Sequence, residues 1–353
     1  MVVSVGSPVG PDGALPLPWI ATSLVRALAS QRGHALLLRA APGAGALAWA
    51  LVLAQSRLCE ADEPAAPARL ACGSCGSCRL VQAQAHPDLF VLLSESERRE
   101  TGWWLAGDKP DGDDSKRKPS RQIRIDEVRS LVDWVTKTAA RGRGKMVVLH
   151  PAEALNHHAA SALLKTIEEP PAGTRLVLTC ADEQHVMPTV RSRCQLLALP
   201  PPDAALAVSW LAGQGLAKAE SLLAACDGLP LEVLAWRERG IDAAAWEALP
   251  AELAAGRPGV LAQCTVAQAV ALLSKVCHDA MAVAAAGRAR YFAPARLPAR
   301  LSLPALAGWS RELLRLARAA EHPWHEGLAI DALVAAAQRA LAPPRSAATV
   351  TGG

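Results

Sequence analysis

Five short apolar runs in the first two hundred residues constrain this chain more than any other feature. They are ALLLRA (35–40), DLFVLL (88–93), KMVVLH (145–150), RLVLTC (175–180) and CQLLAL (194–199). Each is nearly continuous rather than alternating, and helical patterns separate them, as in parallel strands buried on both faces. The expected fold class is an α/β domain around a parallel five-stranded sheet. Among the intervening helices, 125–139 has Asp126 as its expected N-cap and Val128, Leu131, Val132 and Val135 on one side. The next, 154–171, repeats apolar residues at Leu155, Ala159, Leu163 and Ile167 and stops at Pro170 and Pro171.

At 353 residues the chain exceeds one comfortable core. After the prolines preceding Asp203 the strand signals vanish. Alanine-leucine helical patterns follow, broken at Gly228-Leu229-Pro230, Arg257-Pro258-Gly259 and Pro294 to Pro304. The expected organisation is an α/β domain over 1–202, a small helical domain over 203–243, a larger one over 244–342 and a frayed end over 343–353. Inside the first domain, 94–124 is polar, glycine-bearing and mixed in charge, and reads as a flexible insertion. Its KRKPSR cluster could touch nucleic acid and Trp103-Trp104 could dock on a partner, although nothing in the spacing demands either.

No run of about 18 uninterrupted apolar residues occurs, and MVVSVGSPVGPDG lacks the pattern of an export signal, so a cytoplasmic location without a membrane role is expected. There the nine cysteines are reduced, and a cluster of them points to metal or packing. Cys59, Cys72, Cys75 and Cys78 form a C-x12-C-x2-C-x2-C arrangement within 59–78. Glycine and serine in the two-residue gaps let a tight loop aim its thiolates inward. Four sulfurs leave no open position, which points to structural Zn²⁺, with an iron-sulfur cluster as the chemical rival. His86 reads as structural. His157-His158, adjacent on a helix, cannot share a metal. Cys180, Cys194, Cys226, Cys264 and Cys277 read as core residues.

RAAPGAGALAWALVLAQ (39–55) has the outline of a phosphate-binding loop opening a helix, with Gly43 and Gly45 at its turn. Where the chemistry wants Gly-Lys-Ser/Thr it offers Gly45, Ala46 and Leu47. The cation and the metal-binding hydroxyl are both missing.

LNHHAASALLKTIEEPP (155–171), RLVLTCADEQHVMPTVRSRCQLLAL (175–199) and the cysteine cluster before HPDL (86–89) together resemble the AAA+ subunits of the bacterial DNA polymerase III clamp loader. The likeness is strong over 35–202 and thins to helical character beyond. The degenerate loop, and His150-Pro151-Ala152-Glu153 where an ATPase would carry Asp-Glu, make the chain similar to the delta-prime branch, the ATPase-inactive relative of tau/gamma. That resemblance implies no bound nucleotide, no intrinsic ATPase activity, and DNA-directed DNA polymerase only by complex membership. It implies a helical lid and a helical collar after the AAA+ module. Partners would be the tau/gamma ATPase and delta subunits in a hetero-pentameric ring, and through it the sliding clamp and primer-template DNA, at replication forks on the nucleoid. It also gives Ser192-Arg193-Cys194 a role: Arg193 as an arginine finger completing a neighbour's catalytic site in trans. Glu153 reads as a surface helix residue, and Thr179 keeps a structural use of a sensor position. Glu168-Glu169 do not converge as an acid-base pair, and a contact with a basic residue explains them better. Two rivals stay open: a clamp-loader ATPase with a divergent loop, and a zinc-dependent DNA-binding regulator.

Overall fold

The computed structural model describes residues 6–31, 33–61, 69–104, 119–216, 219–319 and 325–343. The chain divides into two compact units, the first comprising 1–214 with 229–231 and the second 215–228 with 232–353.

The first unit is an α/β layer structure. Its strands β1 (Ala35–Ala40), β2 (Leu89–Leu93), β3 (Lys145–His150), β4 (Thr174–Cys180) and β5 (Gln195–Leu199) form one all-parallel sheet in the order β2-β3-β4-β1-β5. Every expected strand is present within about a residue of its apolar run. Burial on both faces holds for the inner strands but not for β5, an edge strand on which Leu196 is 48% exposed.

Its helices are α1 (Ala21–Ser30), α2 (Ala46–Leu58), α3 (Gly76–Gln82), α4 (Glu95–Thr101), α5 (Ile125–Val135), α6 (His157–Glu168), α7 (Pro188–Arg191) and α8 (Ala204–Gly213). Helices α5 and α6 share one core cluster with Leu37, Val147, Leu149, Leu176 and Leu178. The alternate strand residues Leu36, Leu38, Val148 and Val177 face the other way, where α2 packs against β1, β3 and β4. Helix α2 is apolar all round, and Leu47 to Gln55 are buried without interruption, as expected for a helix enclosed on every side. Its one buried amide is satisfied: Gln55 Oε1 accepts from Val9 N–H at 2.7 Å and Nε2 donates to Val9 C=O at 3.3 Å.

Two local expectations change. The N-cap of α5 is Arg124 rather than Asp126, because Glu127 reaches back to accept from the Arg124 N–H at 2.7 Å. The flexible insertion over 94–124 is ordered at both ends. Ser94 caps α4, Arg98 is buried, and Trp103 is buried with its indole N–H on Gly6 C=O at 3.0 Å. Residues 105–118, which include part of the KRKPSR cluster, and all but the first residue of the expected frayed end over 343–353 lie outside the described residues.

Among its described residues the regular elements of the second unit are all helices: α9 (Glu220–Ala225), most of α10 (Pro230–Glu238), α11 (Ala243–Ala254), α12 (Val266–Ala284), α13 (Leu303–Arg318) and α14 (Glu326–Leu341). Thr265 and Gln268 close a reciprocal cap on α12, which packs against α13 and α14. Its 19 residues are long and apolar enough to cross a membrane, yet Asp279 within it is fully buried. That carboxylate accepts from the backbone N–H groups of Arg290, Tyr291 and Phe292 at 2.9, 2.6 and 2.8 Å. Helix α12 is therefore the core helix of this unit. Asp227 completes a second clasp, accepting from Lys275 Nζ and Arg290 Nη2, both at 2.7 Å, and from Tyr291 Oη at 3.0 Å.

Candidate functional site

Three places in the first unit hold the residues singled out in the sequence. The first is the cysteine cluster. Cys59 follows α2 and Cys75 is the N-cap of α3. The Sγ atoms of Cys59 and Cys75, and those of Cys72 and Cys78, lie 3.9 Å apart, and all four fall within 4.8 Å of one another. A tetrahedron of thiolates about 2.3 Å from one ion has edges of roughly 3.8 Å, so the cluster fits a single tetrahedral metal such as structural zinc. Backbone N–H groups point at the sulfurs: Cys72 to Cys59, Cys75 to Cys72 and Cys78 to Cys75, at 3.5, 3.3 and 3.4 Å. Such donors offset the negative charge a set of thiolates gathers. The loop requires Gly73, at φ +76°, because a Cβ there would sit 2.0 Å from Gly10 O. Burial pushes the Cys59 and Cys78 thiols up; Cys72, although burial acts the same way, is brought down to about 6 by hydrogen bonds from the Cys75 and Ser74 backbone.

Residues behind the cluster lock its two halves together. Asp88 N–H donates to His86 Nδ1 at 3.0 Å, which leaves the ring proton on Nε2, 2.7 Å from Ser77 Oγ. The Ser77 hydroxyl donates to Leu58 C=O at 2.6 Å, beside Cys59. Burial holds the His86 pKa below its ordinary value. His86 is thus a brace between ligand-bearing segments and not a ligand. Arg141 pairs with both Glu60 oxygens at 2.6 and 2.8 Å, adding a second tie. Among the described residues no other group of three or more His, Cys, Asp or Glu is gathered to hold a metal; His157 and His158 are exposed.

The second place is the glycine-rich loop. Gly45 is the N-cap of α2 at φ 96°, and a Cβ there would lie 2.2 Å from Leu17 Cδ1. Leu17 is 1% exposed, so its isobutyl group is packed onto the turn where a phosphate would meet the helix N-terminus. Trp19 Nε1 donates to Ala44 C=O at 2.9 Å. Leu47, at the position of the missing hydroxyl, is buried in the core. At the neighbouring strand ends His150 Nδ1 meets Thr179 Oγ1 at 2.5 Å and its Nε2 lies 3.5 Å from Glu97 Oε2. Glu153 is not a free surface side chain: its Oε1 accepts from the Ala181 and Asp182 N–H groups at 2.6 and 3.0 Å. An imidazole and a hydroxyl therefore engage each other where an ATPase would hold magnesium, and the nearby acid is spent on a backbone turn.

The third place is the turn from α7 into β5. Ser192 caps α7, and the N–H groups of Arg193 and Cys194 bond to Val190 and Arg191 C=O, both at 3.2 Å. Arg193 pairs with Glu168 through Nε, and its Nη1 donates to Thr189 C=O at 2.9 Å and Ser192 Oγ at 3.2 Å. Its side chain is 37% exposed. Burial pushes the Cys194 thiol up to about 11, leaving it inert. Glu168 thus finds a basic partner within the chain, while Glu169 ends α6 without joining it. Sequence reasoning missed Leu17, Trp19, Glu97 and the His150–Thr179 contact. Only the placement of Thr179 at a strand end hinted at that contact.

The family described as DNA polymerase III, delta subunit, matches residues 18–203. The DNA polymerase III subunit delta' of Pseudomonas aeruginosa is 38% identical over 216 residues, 60% of this chain and 58% of that protein. Its Escherichia coli K12 counterpart is 32% identical over 212 residues, 59% of this chain and 56% of that one. The E. coli DNA polymerase III subunit tau is 29% identical over 176 residues, 50% of this chain and 23% of tau. The alignments thus span less than three-fifths of the length of the two delta' relatives.

Proposed function

The chain belongs to the DNA polymerase III delta subunit family, and from that premise we propose that it is the non-hydrolysing delta-prime subunit of a replicative clamp loader. In this reading it stands in a hetero-pentameric ring with delta and tau/gamma subunits. It supplies Arg193 in trans to the nucleotide of a neighbouring ATPase and helps place the sliding clamp on primed DNA. The AAA+ module carries one structural zinc on Cys59, Cys72, Cys75 and Cys78, a lid over 203–243 follows, and a collar over 244–342 joins the subunits.

One observation carries the reading: Leu17 and Leu47 make the phosphate loop apolar, while Arg193 stands part-exposed on a turn. Phosphoryl transfer depends on positioning and electrostatics, so a loop without cation, hydroxyl or acid has no compensating chemistry. A planar, permanently charged fork can still stabilise charge developing on a neighbour's phosphate.

The deciding experiment is Arg193→Ala in the loader reconstituted with its partner subunits, where DNA-stimulated ATPase should fall at least about 5-fold with the complex intact. An unchanged rate removes the role. Saturable micromolar binding of Mg²⁺-ATP to the isolated chain would replace it with the divergent-ATPase reading.

A further inference from the structure

Arg193 is anchored by this chain before any neighbour arrives. Its Nε donates to Glu168 Oε1. Its Nη1 spends both N–H groups, on Thr189 C=O at 2.9 Å and on Ser192 Oγ at 3.2 Å. Of the five donors on a guanidinium, the two on Nη2 remain without a partner among the described residues. Thr189 and Ser192 belong to the same short turn as Arg193. Glu168, 25 residues away at the end of α6, is the anchor from another element. The pair is not a buried structural bridge, since the two side chains stay 37% and 45% exposed, and exposed pairs contribute little to stability. Its geometric effect is larger than its energetic one. With Nε and Nη1 both tied, the plane of the fork is set.

We propose that Glu168 is a positioning residue for Arg193, holding Nε so that Nη2 is left ready for an anionic oxygen of the neighbouring subunit's nucleotide. The inference rests on the arginine-finger reading above. A long arginine samples many rotamers, and a finger acts in one of them, so fixing the plane beforehand removes an ordering cost from the reactive complex. The interaction is realised at the transferring phosphoryl group, so its loss falls on kcat rather than on KM for ATP.

The test uses the loader reconstituted from this chain and its partner subunits, with clamp and primed DNA, and reads kcat and KM for ATP. Glu168→Ala should lower kcat roughly 3- to 10-fold with KM within about two-fold. Glu168→Gln, whose side-chain carbonyl can still accept from Nε, should recover at least half of the rate. The double variant Glu168→Ala/Arg193→Ala should be no slower than Arg193→Ala alone. A Glu168→Ala rate equal to or above wild type overturns the positioning role, as does an equal loss in Glu168→Gln or a further drop in the double variant. If Arg193→Ala itself leaves the rate unchanged, the finger reading falls and positioning with it. If Arg193→Ala is slow while Glu168→Ala is not, positioning alone falls.

Discussion

At the scale of single residues, the loop around Gly45 has lost more than the two side chains its sequence reveals. Leu17 packs against the turn, and His150 engages Thr179 where an acid would hold magnesium. Restoring the missing pair should therefore not restore the site. Ala46→Lys/Leu47→Thr is expected to bind no Mg²⁺-ATP at about 1 mM by calorimetry, and to lose about 2 kcal/mol of stability because Leu47 leaves the core. Micromolar binding by that variant would show that the lysine and hydroxyl were the only things lacking. Asp227 offers a second residue-level test. Burial would raise its carboxyl, but Lys275, Tyr291 and Arg290 outweigh it and hold the pKa below the unfolded value of 3.8. The stabilisation is then present above that value and lost as pH falls through the lower folded value. With the side chain 36% exposed, the ion pairs are screened to about 1 kcal/mol. Asp227→Asn should melt about 2–4 °C lower at neutral pH, and the gap should narrow as the pH falls below about 4. A gap that widens with acid would contradict the assignment.

At the scale of elements, the Ser77–Leu58 bond already ties α3 to the end of α2, and an ion on the four sulfurs would cross-link both to the cysteine loop. Cys72→Ser should drop bound zinc from about one per chain to none by elemental analysis and lower the melting temperature by several degrees, whereas Cys226→Ser, buried elsewhere, should keep its zinc. Retention of a full equivalent by Cys72→Ser would move the site away from this cluster. The spacing of those cysteines was plain in the sequence, and so were the strands, because continuous apolar runs have few other uses. Helix α4 was not legible by periodicity: ESERRET has no apolar stripe, and its signals are the flanking Ser94 and Gly102 caps. The start of α5 at Ile125 agrees with the expected helix, but its N-cap differs because the capping carboxylate belongs to Glu127 and acts backwards onto Arg124, and the helix ends at Val135 rather than 139. Glu153 on the turn after β4, Glu168 on Arg193 and Leu17 on Gly45 are contacts between residues 25 or more apart, which no local pattern encodes.

At the scale of the whole molecule, charge decides how the chain meets DNA by itself. A formal net charge of +4 over 353 residues gives a weak electrostatic footprint. The isolated protein should bind duplex DNA no more tightly than about 10⁻⁵ M at physiological salt, measured by fluorescence anisotropy. Submicromolar, steeply salt-dependent binding would favour the zinc-dependent DNA-binding regulator instead. A last consequence comes from the isobutyl group wedged against Gly45. Motor modules register hydrolysis by rearranging around a departing phosphate, and a turn packed with hydrocarbon offers such a phosphate no polar seat. In the proposed clamp-loader reading, whatever timing the neighbouring ATPases derive from the adenylate ratio reaches this chain as push and pull across its outer faces, and it is the stationary post against which they work.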